Sequence, residues 1–291
     1  MSASTGQASS SAAPTSEEVI VDRWRDGHVE HTTDRVAAEV PVALTYHGIS
    51  HVVMLATPAD LEDLAAGFTL SEGIVSDPAE IQSLESAARE DGAFEVRIGI
   101  AAERFSELLR RERNTTGRTG CGLCGAATVE DAIRPPKQVP RGVTVTAAEL
   151  HAALRDIQRH QHINRETGSV HAAAWVVPGE GIRLVREDVG RHNALDKVIG
   201  ALIRSKQDPA RGWFLITSRA SYEMVQMTAT VGVSLLAAVS APTAFAIRLA
   251  HASGLTLVGF AREHQHVIYS HPSRLQSELQ AEALATRVSH A

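Results

Sequence analysis

A chain of 291 residues, 44% apolar and 21% charged, has the composition of an ordinary globular protein and is long enough for two domains. A formal net charge of -6 without a long basic run argues against a nucleic-acid partner, and no apolar stretch is long enough to cross a bilayer as a helix. Two cysteines in this length point to a reducing compartment, so a cytoplasmic location is expected.

Residues 1–18 contain neither a basic nor an apolar leader pattern and read as a disordered tail. A strand is expected over 19–24, with Asp26 and Gly27 marking a turn before Val29. Residues 42–46 and 51–56 flank His47 and Gly48 as a hairpin. Thr57 is placed to cap a helix, with Pro58 at its first position and Leu61, Leu64, Ala65 and Phe68 as its apolar face. Alternation at Phe94, Val96, Ile98 and Ile100 predicts another strand. The span 19–113 therefore reads as a small α+β domain.

Residues 114–145 form a polar loop and linker, and beyond it the pattern becomes regular. Thr146 and Glu149 spell a capping box before the stripe Leu150, Leu154 and Ile157. Strands at 170–177 and 182–186 precede a helix from His192, a buried strand from Trp213, and a helix from Ser221. A strand from Val233, a helix from Thr243, and strands from Leu255 and Val267 complete the series. This alternation over 146–272 predicts a layered α/β domain with a largely parallel sheet, followed by a polar tail at 273–291.

Both cysteines lie in T-G-C-G-L-C-G, residues 119–125, where glycines leave Cys121 and Cys124 little shielding. Three uses of such a pair compete. Zinc needs four ligands, and no second cysteine pair or suitably spaced histidine pair completes a site, so no metal is expected. A thioredoxin-like redox pair would open a helix, but Pro135 and Pro136 leave room for only a short one. A sulfur carrier needs a reachable thiol of lowered pKa, which Arg118 and the glycines could supply.

In open α/β sheets, ligands bind beyond the carboxyl ends of the strands. Those ends offer Arg186, Arg191, His192, Lys197, Arg219 and Arg262, with helix starts at Arg191, Ser221 and Thr243 whose free amides suit phosphate oxygens. An anionic, phosphate-bearing ligand is the natural reading, against a local ion-pair network of Arg186, Glu187, Asp188 and Arg191. His192 could act as acid or base, or satisfy backbone at a helix start.

T-G-C-G-L-C-G, H-A-A-A at His171, R-E-D-V-G-R-H-N-A-L-D-K-V-I-G, S-R-A-S-Y-E-M-V-Q, A-A-V-S-A-P-T and L-T-L-V-G-F-A-R together resemble the formate dehydrogenase accessory sulfurtransferase (FdhD) family. The N-terminal T-P-A-D-L-E-D-L-A-A-G-F-T-L-S-E-G-I also resembles its first domain. The resemblance implies a sulfurtransferase that takes sulfur from a cysteine desulfurase as a persulfide on Cys121, with Cys124 in support. It implies transfer to the molybdenum of the bis(molybdopterin guanine dinucleotide) cofactor before insertion into formate dehydrogenase. Phe260, Ala261, Arg262, Glu263, His264 and Gln265 are implied as cofactor contacts, GDP as a mimic of the ligand, and a homodimer as the assembly. The resemblance also implies a cytidine deaminase-like three-layer α/β/α second domain. Deaminase chemistry is excluded, because the corresponding helix starts, His192-Asn193-Ala194 and Ser218-Arg219-Ala220-Ser221, lack the acid and cysteines that zinc deaminases need. The alternative reading is a non-catalytic cofactor-binding chaperone whose cysteines hold a metal or sense redox state.

Overall fold

The computed structural model describes residues 13–112 and 137–276. The chain opens as a two-stranded antiparallel ribbon, β1 (Ser16–Arg25) and β2 (His28–Ala37), so the first strand begins inside the segment expected to be a tail. Asp26 and Gly27 turn it, both at positive φ, which suits the twist of a two-residue hairpin. A second hairpin, β3 (Val40–Tyr46) and β4 (Ile49–Ala56), joins β5 (Ile81–Ala88) and β6 (Phe94–Ile100) in the sheet order β4-β3-β6-β5. Val42, Leu44, Tyr46, Val96, Ile98 and Ile100 alternate onto one face, where α1 (Leu61–Ser71) buries Leu61, Leu64 and Ala65. A further helix, α2 (Ala102–Glu112), follows β6.

Thr57 does not cap α1: Asp60 occupies that position in a left-handed conformation, with no side-chain cap bond. The groups of Thr57 go elsewhere. Its amide donates to Asp188 Oδ2 (3.0 Å), its carbonyl accepts from Lys197 Nζ (2.9 Å), and its hydroxyl accepts from the Val189 amide (3.2 Å). A long-range polar network thus overrides the local capping preference.

In the second half, β7 (Val145–Thr146) leads into α3 (Ala147–His160), whose capping box between Thr146 and Glu149 forms as expected. After α4 (His162–Thr167) come β8 (His171–Val177), β9 (Gly181–Asp188), α5 (Arg191–Arg204), β10 (Trp213–Ile216), α6 (Tyr222–Thr230), β11 (Leu235–Ala238) and α7 (Ala244–Ser253). Strands β12 (Thr256–Arg262), β13 (Gln265–Ser270) and β14 (Leu275–Gln276) close the series. The six-stranded sheet runs β13-β12-β11-β10-β8-β9. Only the β10–β11 and β11–β12 pairings are parallel, so the expectation of a largely parallel sheet is corrected to a mixed one. The cause is local: β8 and β9 form a hairpin through a tight turn, and β12 and β13 another, and hairpins are antiparallel by construction.

Helix α3 covers one face through Leu150, Ala153, Leu154 and Ile157. Helices α5, α6 and α7 cover the other, completing three layers. The domain also extends past residue 272, since β14 pairs with β7 and buries Leu275. At the other end, the Val139 amide donates to the Ser253 carbonyl, which seats the close of the expected linker on this domain.

The two halves share one core. Leu64 and Leu44 from the first belong to the same buried cluster as Leu195, Ile199 and Phe214 from the second. Helices α1 and α5 cross so closely that a Cβ on Gly67 would lie 1.8 Å from the Asp196 carbonyl oxygen, and one on Gly200 1.8 Å from that of Asp63. Asp63, nearly buried, accepts from Arg186 Nε (2.9 Å) and Nη2 (2.7 Å) and from Arg204. Arg186 is therefore committed to the junction between the halves. Beside the crossing, burial pushes the Asp196 carboxyl well above its ordinary value, and Ser71 donates to it at 2.6 Å.

Candidate functional site at the sheet edge

The carboxyl ends of β9, β10, β11 and β12 meet one edge of the six-stranded sheet, and antiparallel β8 brings its amino end to the same edge. His171 accordingly sits opposite Asp188 in the β8–β9 register. A cleft of about 540 Å³ opens there, lined among others by Ile157, Gln161, His171, Thr217, Ala261 and Arg262. That volume is in the range of a small-molecule site. Helix α3 forms its wall through Leu154, Arg155, Ile157 and Gln158, and the β12–β13 hairpin its rim through Arg262 and Glu263.

Arg191 and His192 start α5, and Ser221 is the N-cap of α6. Arg191 Nε, His192 Nε2 and Ser221 Oγ are buried atoms without a hydrogen-bond partner among the described residues. Buried polar atoms are rarely left so, because an unmet donor costs about 1 to 3 kcal/mol. Their unmet capacity marks a place for a polar ligand or for water. His171 links this cluster to the cleft: burial, with Arg191 and His192 nearby, lowers its pKa, while Asp188 opposes the shift. His192 Nε2 lies 3.9 Å from Glu223 Oε2, a charge-pair distance beyond hydrogen-bond reach. The neighbouring imidazole, with Ser221 beside it, holds the Glu223 carboxyl down to about 2 despite opposing burial.

Lys197 is a correction to the expected set of cationic ligands. Its side chain is 0% exposed, and its ammonium lies 2.6 Å from Asp188 Oδ2, itself fully buried. Asp188 also accepts from the Asn193 amide (2.9 Å) and the Gly190 backbone (2.8 Å). A lysine so enclosed has no donor to offer at the surface, and its place in the second turn of α5 points it at the junction.

The remaining expected residues divide by place. Arg262, Glu263, His264 and Gln265 form the exposed end of the β12–β13 hairpin, where Arg262 pairs with Gln265. Ala261 is buried and lines the cleft. Phe260 has φ of +48° and is 38% exposed, at a register shift between β12 and β13. A bulky residue in the left-handed region is strained, and such strain gathers at functional sites. Arg219 is exposed after β10, on the same edge. Cys121 and Cys124 lie outside the described residues.

Two residues here are given no site role by the sequence reading. His171 enters it only as the start of H-A-A-A, because the strand-end rule looks at carboxyl ends and only the antiparallel run of β8 brings its amino end to this edge. Glu223 sits within S-R-A-S-Y-E-M-V-Q, two residues past Ser221, and carries no signal of its own without His192 opposite it.

Residues 37–276 match the model of the FdhD/NarQ family. A protein from Cupriavidus necator named sulfur carrier protein FdhD is 52% identical over 265 residues, covering 91% of this chain and 92% of its own length. Another of that name, from Xanthomonas campestris pv. campestris, is 48% identical over 271 residues, covering 93% of this chain and 96% of its own. Among solved structures, one from Desulfotalea psychrophila, described provisionally as a formate dehydrogenase accessory protein, superposes with a TM-score of 0.71 at 22% identity. It covers 90% of this chain and all of its own, and so shares the fold. With 240 of its 291 residues inside the family model and close relatives along nearly its whole length, this chain belongs to the FdhD/NarQ family.

Proposed function

We propose that the protein is a cytoplasmic sulfur carrier that moves sulfane sulfur from a cysteine desulfurase to a molybdenum cofactor destined for formate dehydrogenase. The observation that carries this reading is the pair Cys121 and Cys124, its only thiols, set within the family-matched span of a chain whose relatives are named sulfur carriers. The Cys121 thiolate attacks the sulfane sulfur of a desulfurase persulfide, forming Cys121–S–S⁻ and releasing the donor's thiolate. The Cys124 thiolate then attacks Cys121 Sγ, forming the Cys121–Cys124 disulfide and expelling sulfide to the metal. External thiol restores the pair.

On this reading the cofactor's nucleotide end lies at the sheet edge. The unmet buried Nε of Arg191, with the polar atoms of His192 and Ser221 beside it, supports an anionic group there, as does the Arg262 guanidinium at the cleft rim. The cleft has room for a nucleotide-sized portion rather than a whole bis(dinucleotide), so the remainder would extend past Phe260 and the hairpin.

The test is the mass of the intact protein after incubation with desulfurase and cysteine. One added sulfur, removed by dithiothreitol, is expected on the wild type and absent from Cys121→Ala. An unchanged wild-type mass would overturn the proposal, as would an adduct that persists in the variant.

A further inference from the structure

Residues 188–193 lead from the end of β9 into α5 and carry Arg191 and His192 to the sheet edge. This turn cannot cap its own helix, because Gly190 stands at the N-cap and has no side chain to offer. Other groups hold it instead. Asp188 Oδ1 accepts from the Gly190 amide (2.8 Å) and from Asn193 Nδ2 (2.9 Å), and the Thr57 hydroxyl accepts from the Val189 amide (3.2 Å). Asn193 Nδ2 gives its other hydrogen to the Leu55 carbonyl in β4 (2.8 Å), while the Thr57 amide donates to Asp188 Oδ2 (3.0 Å). Both of these Asn193 partners are acceptor oxygens, so only the amino end of its carboxamide fits there. The packing is tight: a Cβ on Gly190 would lie 2.9 Å from Asn193 Nδ2. Thr57 and Asp188 are wholly buried, and Asn193 nearly so.

Two of these anchors, Leu55 and Thr57, come from the first half of the chain, although among the described residues none from that half lines the cleft. Together the anchors grip the chain on both sides of Arg191 and His192, at 189 and 190 before the pair and at 193 after it. That placement bears on the two buried atoms left without a partner among the described residues, Arg191 Nε and His192 Nε2. A loosely held turn would relax until such atoms met protein or water, since leaving a buried polar group unmet costs more than a hydrogen bond returns. A backbone fixed on both sides prevents that relaxation and keeps the atoms aimed at what the edge binds, which is how a site is preorganised. The geometry points to Thr57 and Asn193 as positioning residues of the anion site, acting through Arg191 and its neighbour rather than by touching the ligand. The first half of the chain is then a working part of a site that it does not line. This inference rests on the placement of an anionic cofactor group at this edge.

Calorimetric titration of GDP into the full chain tests it, with circular dichroism and urea unfolding measured on every variant. Thr57→Val keeps the outline of the side chain but removes the acceptor for the Val189 amide, and should weaken GDP binding about fivefold. Thr57→Ser keeps the hydroxyl and should bind within about twofold of wild type. Asn193→Ala releases the far side of the pair and should weaken binding about tenfold or more. Residues that only stabilised the fold would shift the urea midpoint and leave the affinity of the folded protein unchanged.

A double-mutant cycle separates positioning from every other effect: in an Arg191→Ala background, Thr57→Val should lose most of its influence on GDP affinity. The same cycle run with Asn193→Ala keeps the test open if Thr57→Val does not fold. A wild-type protein that binds no GDP, or an Arg191→Ala variant that binds it as tightly as wild type, overturns the placement of the nucleotide and this inference with it. With that placement standing, the inference alone falls if the folded variants at 57 and 193 bind GDP as wild type does, or if their effects add in full to that of Arg191→Ala.

Discussion

Phe260 holds an unfavourable backbone conformation, with φ of +48°, while 38% of it stays exposed. Its neighbour Arg262 is at the cleft rim, and across the sheet edge Arg191 keeps a buried Nε without a partner among the described residues. If a diphosphate occupies this edge, each guanidinium supplies a charge-assisted contact of about 1.5 to 3 kcal/mol. Arg191→Ala and Arg262→Ala should each weaken GDP binding by roughly ten- to a hundredfold in calorimetric titration. Both variants binding as tightly as wild type would place the nucleotide elsewhere. Lys197→Met is the informative contrast: it leaves Asp188 buried without its cation, so thermal stability should fall, and any loss of GDP affinity would come through misfolding.

At the scale of elements, the crossing of α1 and α5 sets the relation between the halves. Gly67 and Gly200 permit backbone approach that no side chain would allow, because the nearest atoms are carbonyl oxygens of the facing helix. Gly200→Ala should destabilise the protein by about 3 kcal/mol or more in urea unfolding, although alanine is the better helix former by about 1 kcal/mol. A stabilised variant would mean that the helices separate without cost. The capping of α1 belongs to this scale too. A threonine before proline in sequence reads as a helix start, yet Thr57 is drawn into the buried polar cluster of Asp188 and Lys197, and the helix begins later.

Across the whole molecule, the continuous core makes independent unfolding of the two halves costly. Separating them would expose Leu64 and Leu195, and would strip Asp63 of Arg186 and Arg204. Calorimetry should therefore show one transition with equal calorimetric and van't Hoff enthalpies, and two resolved peaks would contradict the shared core. The apolar segment 231–250 serves this core. Val233 and residues Leu235–Ala238 are buried, because β11 is a central strand covered on both faces, and Ala246, Leu249 and Ala250 turn α7 onto the sheet. Among the described residues, no helix is long and apolar enough to cross a membrane.

Sequence alone determined the type of the elements that rest on local periodicity, on turn pairs such as Asp26-Gly27 and His47-Gly48, and on a capping box that satisfies itself within four residues, whereas β2, β5, α2 and α4 were not read from it. The ordered motifs likewise pointed to the family. Only the tertiary structure decided strand direction, and with it the place of His171 at the site edge. It alone separated Lys197, enclosed with Asp188, from Arg191, whose Nε is left unmet among the described residues, although both are cations on one helix. The physical reason is common to these cases: burial and pairing are properties of what a side chain meets across the fold, and partners more than a hundred residues away, as Thr57 is from Asp188 and Lys197, leave no local pattern.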